Sequence, residues 1–344
     1  MKKYFLVLLT GAALFAGCCN SAKNESCVSA IPVIFETDMG NDIDDALALD
    51  MLYKYADMGV VNLLGVGVNK MDPYSVEFVD VMNTWFGYPN VAIGKVVDGI
   101  DCSNDPPNNF VKATCLYQEN GESPFVRTHT DYSQIPEATD FYRELLAQQP
   151  DSSVVVVSVG FSTNIARLLD TQPDRFSPLT GRELVAKKVK LLSIMAGNLV
   201  EPTAWEYNVG RDIPAAQNVF NNWPTPIVVS PYDVGDAVMF PATVIENNLD
   251  YAGTNPVKIG YESYMQMPYD RPSWDLTSVL YAVEGSKNYF TISEWGRIEV
   301  GNEAQTTFYA DENGRHAYLS VNAEQAELVK NRLIELVSMK PKNK

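Results

Sequence analysis

Residues 152–160 read SSVVVVSVG, four successive valines with no polar residue among them. A strand with one wet face alternates apolar and polar side chains, whereas a strand apolar on both faces must be covered on both. That is the condition of a parallel sheet held between helical layers. The pattern recurs along the chain. PVIFET (32–37), VVNLLGVGVN (60–69), NVAIG (90–94), KVKLLSIMAG (188–197) and TPIVVS (225–230) are short apolar runs. Between them lie segments of helical spacing: 44–59, 73–87, 137–149, 162–170 and 212–222. Strand and helix in alternation predict an α/β fold, an open, mostly parallel sheet with helices on both faces. No repeat, low-complexity tract or linker divides residues 31–344, which read as one domain. With 344 residues, 46% of them hydrophobic, the chain can bury a large core.

The amino terminus stands apart. MKKYFLVLLTGAALFAGCC has two lysines, an apolar run too short to span a bilayer, and Ala16-Gly17-Cys18. Residues 1–17 are expected to be an export signal of lipoprotein type, with Cys18 the lipid-carrying first residue of the mature chain. Plain secretion is the alternative, and residues 18–30 would be a tether. The expected location is therefore periplasmic or outer-surface, with membrane contact only through that anchor. A net charge of −17 argues against a nucleic-acid partner. Of the five cysteines, Cys102 and Cys115 lie outside the leader and tether and flank a loop-like stretch. In an oxidising compartment they could close it as a disulfide or remain two thiols.

The most concentrated chemistry lies at residues 36–45, ETDMGNDIDD, where Glu36, Asp38, Asp42, Asp44 and Asp45 occupy five of ten positions without a Lys or Arg. Carboxylates near a core need a compensating charge. Either the cluster is a solvated turn or it holds a cation. Its position favours a ligand: Asp38 follows the first strand and Asp44-Asp45 open the next helix, and open α/β sheets bind ligands beyond the carboxyl ends of their strands. Oxygen donors of this kind suit Ca²⁺ or Mg²⁺, although the spacing is not that of an EF-hand.

These residues resemble the motif D-x-D-P-G-x-D-D-A of the calcium-dependent nucleoside hydrolases of the inosine–uridine type. Four further blocks follow in that family's order. VGVNK places Asn69 at a strand end, SVGFSTNIARLL places Thr163, IMAGN with EYNVGRDIPAA places Asn198, Glu206 and Asn208, and RPSWDLTSVLYAV places Asp275. The resemblance covers about residues 32–300. It implies hydrolysis of the N-glycosidic bond of nucleosides by a Ca²⁺-bound water. Asp38, Asp45, the Thr163 carbonyl and Asp275 would be metal ligands, with Asp38 also general base. Asp44, Asn69, Asn198, Glu206 and Asn208 would hold the ribose. The family's common dimers or tetramers make a homo-oligomer possible.

Three departures bear on activity. Glu36 and Met39 replace the motif's first Asp and its Pro, and two extra residues lengthen the acidic loop. Asp42, in that lengthened loop, either joins the metal shell or caps the turn. Trp274 stands where many members have the His that protonates the leaving base; a Trp can stack on a base but not serve as that acid. His129 and His316 could substitute only if folding brings them near. Residues 97–135 form an insert, with Phe110, Tyr117 and Phe125, that is expected to shape the base pocket. Arg211 and Arg271 flank two motif blocks and read as surface ion-pair residues. Two alternatives remain beside the nucleoside hydrolase: a non-catalytic surface lipoprotein binding a ribosyl or other sugar, and a hydrolase of a different glycoside.

Overall fold

The computed structural model describes residues 29–102, 109–201, 203–249 and 253–344. The expected export signal (1–17) and nearly all of the tether (18–30) lie outside the described residues.

The strands are β1 (Ile31–Thr37), β2 (Val61–Val68), β3 (Ala92–Lys95), β4 (Val154–Ser158), β5 (Val189–Met195), β6 (Ile227–Ser230), β7 (Met239–Phe240), β8 (Arg271–Pro272), β9 (Thr291–Ile292), β10 (Gly296–Val300), β11 (Thr306–Ala310) and β12 (His316–Ser320). The main sheet runs β11-β10-β12-β6-β5-β4-β1-β2-β3. From β3 to β6, and from β6 to β12, every neighbouring pair is parallel; β10, β11 and β9 add antiparallel partners at the far edge. Strands β7 and β8 make a separate antiparallel ribbon. The expected α/β architecture is therefore present, with an antiparallel edge that the alternation along the chain does not announce.

Apolar runs become central strands here because successive side chains enter opposite cores. On β1, Val33 and Phe35 join one buried cluster and Ile34 the other; on β4, Val155 and Val157 join the first and Val154 and Val156 the second. Helices Asp44–Asp57, Pro73–Trp85 and Trp274–Glu284 cover one face, while Ala138–Gln148, Thr163–Asp170 and Ile213–Asn222 cover the other. Each fully buried valine contributes roughly 1.5–3 kcal/mol. Among the described residues no helix is long and apolar enough to cross a membrane.

Strand order reverses at β1: the chain moves from β1 to β2 and β3 on one side, then crosses to β4 on the other. The loops after β1 and β4 therefore diverge and leave a crevice between them. Glycine permits their close approach. A Cβ on Gly160, just past β4, would lie 2.4 Å from the Asp38 nitrogen and 2.8 Å from the Asn69 amide.

The two ends of the domain are fastened by a buried cation. Lys54, fully buried on the first helix, lies 3.3 Å from Asp50 one turn earlier and donates to the Val337 and Met339 carbonyls at the end of the last helix, Ala323–Ser338. Burial raises the Asp50 carboxyl to about 6 despite that neighbour. Removing Lys54 leaves Asp50 buried without its counter-charge, a loss of about 3–5 kcal/mol for such pairs. Lys54→Met, which keeps most of the apolar stem, is expected to lower the urea midpoint accordingly, and to do so more at pH 8 than at pH 5 because Asp50 must then be charged.

Candidate functional site

The site grows from the loop after β1. Thr37, its last residue, accepts from the Met39 amide at 3.0 Å and donates to the Asp45 carboxylate. Gly40 takes a φ of +109°, open to glycine and strained for other residues. The chain then turns into helix Asp44–Asp57, whose first two residues are buried acids. A second helix, Trp274–Glu284, brings Asp275 in its first turn to the same place, and the Asp275 amide donates to Asp44 Oδ2 at 3.0 Å. Carboxylate oxygens of Asp44, Asp45 and Asp275 all lie within 4.8 Å of one another. Asp38 stands beside them, its Oδ2 accepting from Asn41, which in turn accepts from Lys70.

Four carboxylates, each at most 4% exposed, share this space. Two helix N-termini offset part of their charge. The offset is incomplete: burial first, then mutual repulsion, holds Asp44, Asp45 and Asp275 well above the usual carboxylate range, and burial raises Asp38 to about 6. Such a cluster either stays partly protonated or takes up a cation. The donors are all oxygens, anionic and convergent, and they fit a hard divalent ion such as Ca²⁺.

Above the acids opens a cleft of about 370 Å³, with Asp38, Asp44, Asp45 and Asp275 on its floor, Glu206 and Asn208 on one wall, and Trp205, Tyr207, Tyr232, Tyr264 and Trp274 around it. Glu206 caps the short helix Tyr207–Arg211, accepting from the Gly197, Asn208 and Val209 amides at 2.8–3.0 Å; burial still raises its carboxyl. Asn208 is fixed by bonds from its amide to the Val159 and Met195 carbonyls.

The other expected residues divide. Thr163 opens its helix with the hydroxyl donating to Asp212 at 2.6 Å and does not line the cleft; the resemblance assigns only its main-chain carbonyl to the metal. Asn69 sits beneath the floor rather than in the cleft lining. Its Nδ2 donates to Glu36 at 2.9 Å and to the Phe161 carbonyl at 2.8 Å, and its Oδ1 is buried without a partner. Asn198 is a turn residue: its Oδ1 accepts from the Glu201 amide, its backbone pairs with Thr306, and it does not line the cleft. Asp44, assigned to the sugar by resemblance, belongs to the carboxylate triad. Asp42 does not; it caps its own turn through the Ile43 amide and pairs with Arg271.

Of the two alternatives for Cys102 and Cys115, a disulfide or two thiols, the structure has two thiols. Cys115 is buried on helix Phe110–Cys115 with its sulfur against the Tyr74 carbonyl, and the Cys102 sulfur lies against the Ile100 carbonyl and Arg211. The described part of the 97–135 insert packs into the hydrophobic core beside the acidic loop rather than into the cleft. Phe110 meets Phe78 and Tyr264, and no described residue of the insert lines the cleft; residues 103–108 lie outside the description. Neither histidine approaches. His129 sits by Asp80, and buried His316, pushed down to about 4, accepts from the Ile298 amide. Trp274 lines the cleft, but its indole N–H is committed to the Tyr232 carbonyl at 3.1 Å. Sequence reading passed over Asn41, Tyr207, Tyr232 and Tyr264. Tyr232 follows the end of β6, a position that the parallel sheet could have flagged; Tyr264 ends a helix distant in sequence and carries no local signal.

Three comparisons bear on this arrangement. A profile of the family described as inosine-uridine preferring nucleoside hydrolase matches residues 33–331. No curated protein matches the chain. Solved structures share the fold. A purine-preferring ribonucleoside hydrolase from Gardnerella vaginalis superposes with a TM-score of 0.66 at 18% identity, covering 89% of this chain and 99% of that one. The plant nucleoside hydrolase PpNRh1 gives 0.64 at 20% identity over 88% and 99%. The type III effector XopQ, solved with adenosine diphosphate ribose, gives 0.62 at 15% identity over 90% and 95%. With a family match spanning most of its length and the acidic floor in the expected crevice, the chain belongs to the inosine-uridine preferring nucleoside hydrolase family.

Proposed function

We propose that the protein hydrolyses the N-glycosidic bond of ribonucleosides, releasing base and ribose, at a Ca²⁺ site on the floor of the cleft. The observation that carries this reading is the convergence of Asp44, Asp45 and Asp275, with Asp38 beside them, beneath a cleft that is polar below and aromatic around. Asp38, Asp45, Asp275 and the Thr163 carbonyl would hold the ion, with Asp44 at its edge. When bound, the ion supplies positive charge that acidifies water and grips vicinal hydroxyls.

The protein's own groups then divide the work. Asp38, freed of its proton once a cation offsets its neighbours, accepts a proton from the attacking water. Asp44 on the floor and Glu206 and Asn208 on the wall line the space where ribose hydroxyls would sit. Fixed polar groups of this kind favour a sugar bearing its hydroxyls over one lacking them. The aromatic walls suit the flat base. The proposal includes export, carried by the leader at residues 1–17 and the anchor at Cys18.

A second reading, a protein that binds a ribosyl ligand without cleaving it, is favoured by one observation: the indole of Trp274, at the position of the family's acid, has no proton to give. Asp38→Asn separates the two. The hydrolase reading expects ribose release to fall about 10²–10⁴-fold, the range for a lost general base; the binding reading expects no release from either protein.

Stability should report the ion independently. Asp38 titrates near 6 in the metal-free fold, above the ordinary 3.8, so its contribution is present below about pH 4 and lost as pH rises through 6. Asp44, Asp45 and Asp275 shift in the same direction. In chelator, the melting temperature is therefore expected to fall as pH rises from about 5 to about 7.5, and added Ca²⁺ should raise it more at the higher pH. Equal melting with and without Ca²⁺ at pH 7.5 would contradict the site.

A further inference from the structure

The lengthened acidic loop has a consequence at the cleft mouth. Asp42 receives Arg271 through both carboxylate oxygens, one from Nε at 2.9 Å and the other from Nη2. Nη2 also donates to the Tyr264 hydroxyl at 3.2 Å. The guanidinium lies 5.2 Å from the ring centres of both Tyr264 and Trp274. Arg271 belongs to β8, three residues before Trp274 and four before Asp275, so the segment that delivers a carboxylate to the floor delivers this cation to the rim. Among the described residues that line the cleft, Arg271 is the one cation, facing Asp38, Asp42, Asp44, Asp45, Glu206 and Asp275. Its Nε and Nη2 are occupied, while Nη1 has no acceptor among the described residues.

Breaking an N-glycosidic bond sends the bonding pair to the base nitrogen. That charge must be met by a proton or by fixed donors. No histidine lines the cleft, and the Trp274 N–H is occupied. A guanidinium does not give up its proton at neutral pH, but it donates strong hydrogen bonds to anionic acceptors. We propose that Arg271, clamped by Asp42 and lying over Trp274, stabilises the departing base through its Nη1 hydrogens, in place of a general acid. The balance is simple. The C1′–N bond breaks with its pair on the base, water oxygen bonds to C1′, Asp38 takes the water proton, and the base anion held by Arg271 takes a proton from solvent on leaving. The substrates served are nucleosides whose base carries an in-plane acceptor, a carbonyl oxygen or a second ring nitrogen. The inference rests on the hydrolase reading above.

The test compares two leaving groups. Inosine needs help at the base; 4-nitrophenyl riboside leaves as a stable phenolate and needs little. Arg271→Gln is expected to reduce kcat/KM for inosine about 10²-fold, the order for one lost transition-state donor, and for the nitrophenyl riboside at least about tenfold less. Asp42→Asn, which loosens the clamp, should reproduce the same selectivity at smaller size. Should Arg271→Gln fail to fold, Arg271→Lys retains charge without the fork and is expected to show the selective loss in part. Equal losses on both substrates, or no loss on inosine, would overturn the assignment. If the unsubstituted protein with Ca²⁺ cleaves neither substrate, the hydrolase reading fails first and this one with it. If it cleaves only the nitrophenyl riboside, hydrolysis stands and the role of Arg271 does not.

Discussion

Four buried carboxylates repel one another at the carboxyl end of the sheet, and the surrounding fold is arranged to hold them there. Asp38 comes from the loop after β1, Asp44 and Asp45 from the helix that follows it, and Asp275 from a helix more than 200 residues on, and nothing in their own chemistry favours gathering them. The sheet makes the gathering possible. Strand order reverses at β1, two helices point their N-termini at one place, and Gly160 lets the loop past β4 approach the Asp38 backbone. A site built against its own charge is poised for a cation, because ion binding then relieves a cost already present in the fold. This is a physical reason for so acidic a segment to sit inside the protein rather than on its surface.

Asp42, Arg271 and Trp274 form one connected group. Asp42 fixes Arg271, and Arg271 lies over Trp274. Gly235 completes the arrangement, since a Cβ there would meet the Trp274 Cα at 2.4 Å. The aromatic rim is thus held by a salt bridge and a tight backbone contact.

The sheet was legible because unbroken apolar runs such as those of β1 and β4 have only one stable setting, between two helical layers. Asp38, Asp45 and Asp275 were legible because the motif places them on strand and helix ends. The placements of Asn69 and Asn198 were not: each is an Asn near a strand end, and only the fold decides that one faces the site from below while the other closes a turn. Arg271 looked like a surface residue because its partner Asp42 is 229 positions away. The antiparallel edge of β10, β11 and β9 and the absence of a Cys102–Cys115 bond likewise depend on long-range packing, which local pattern does not encode.

In the proposed reaction, a cation on the acidic floor enables cleavage of a ribosyl–base bond. The most direct measurement is ribose release by the domain from residue 31 onward, over a panel of purine and pyrimidine nucleosides, first with Ca²⁺, then with chelator, then with Ca²⁺ restored. Chelation is expected to abolish release and Ca²⁺ to restore it. Release unaffected by chelator, or none from any nucleoside by folded, Ca²⁺-bound protein, would contradict the proposed reaction.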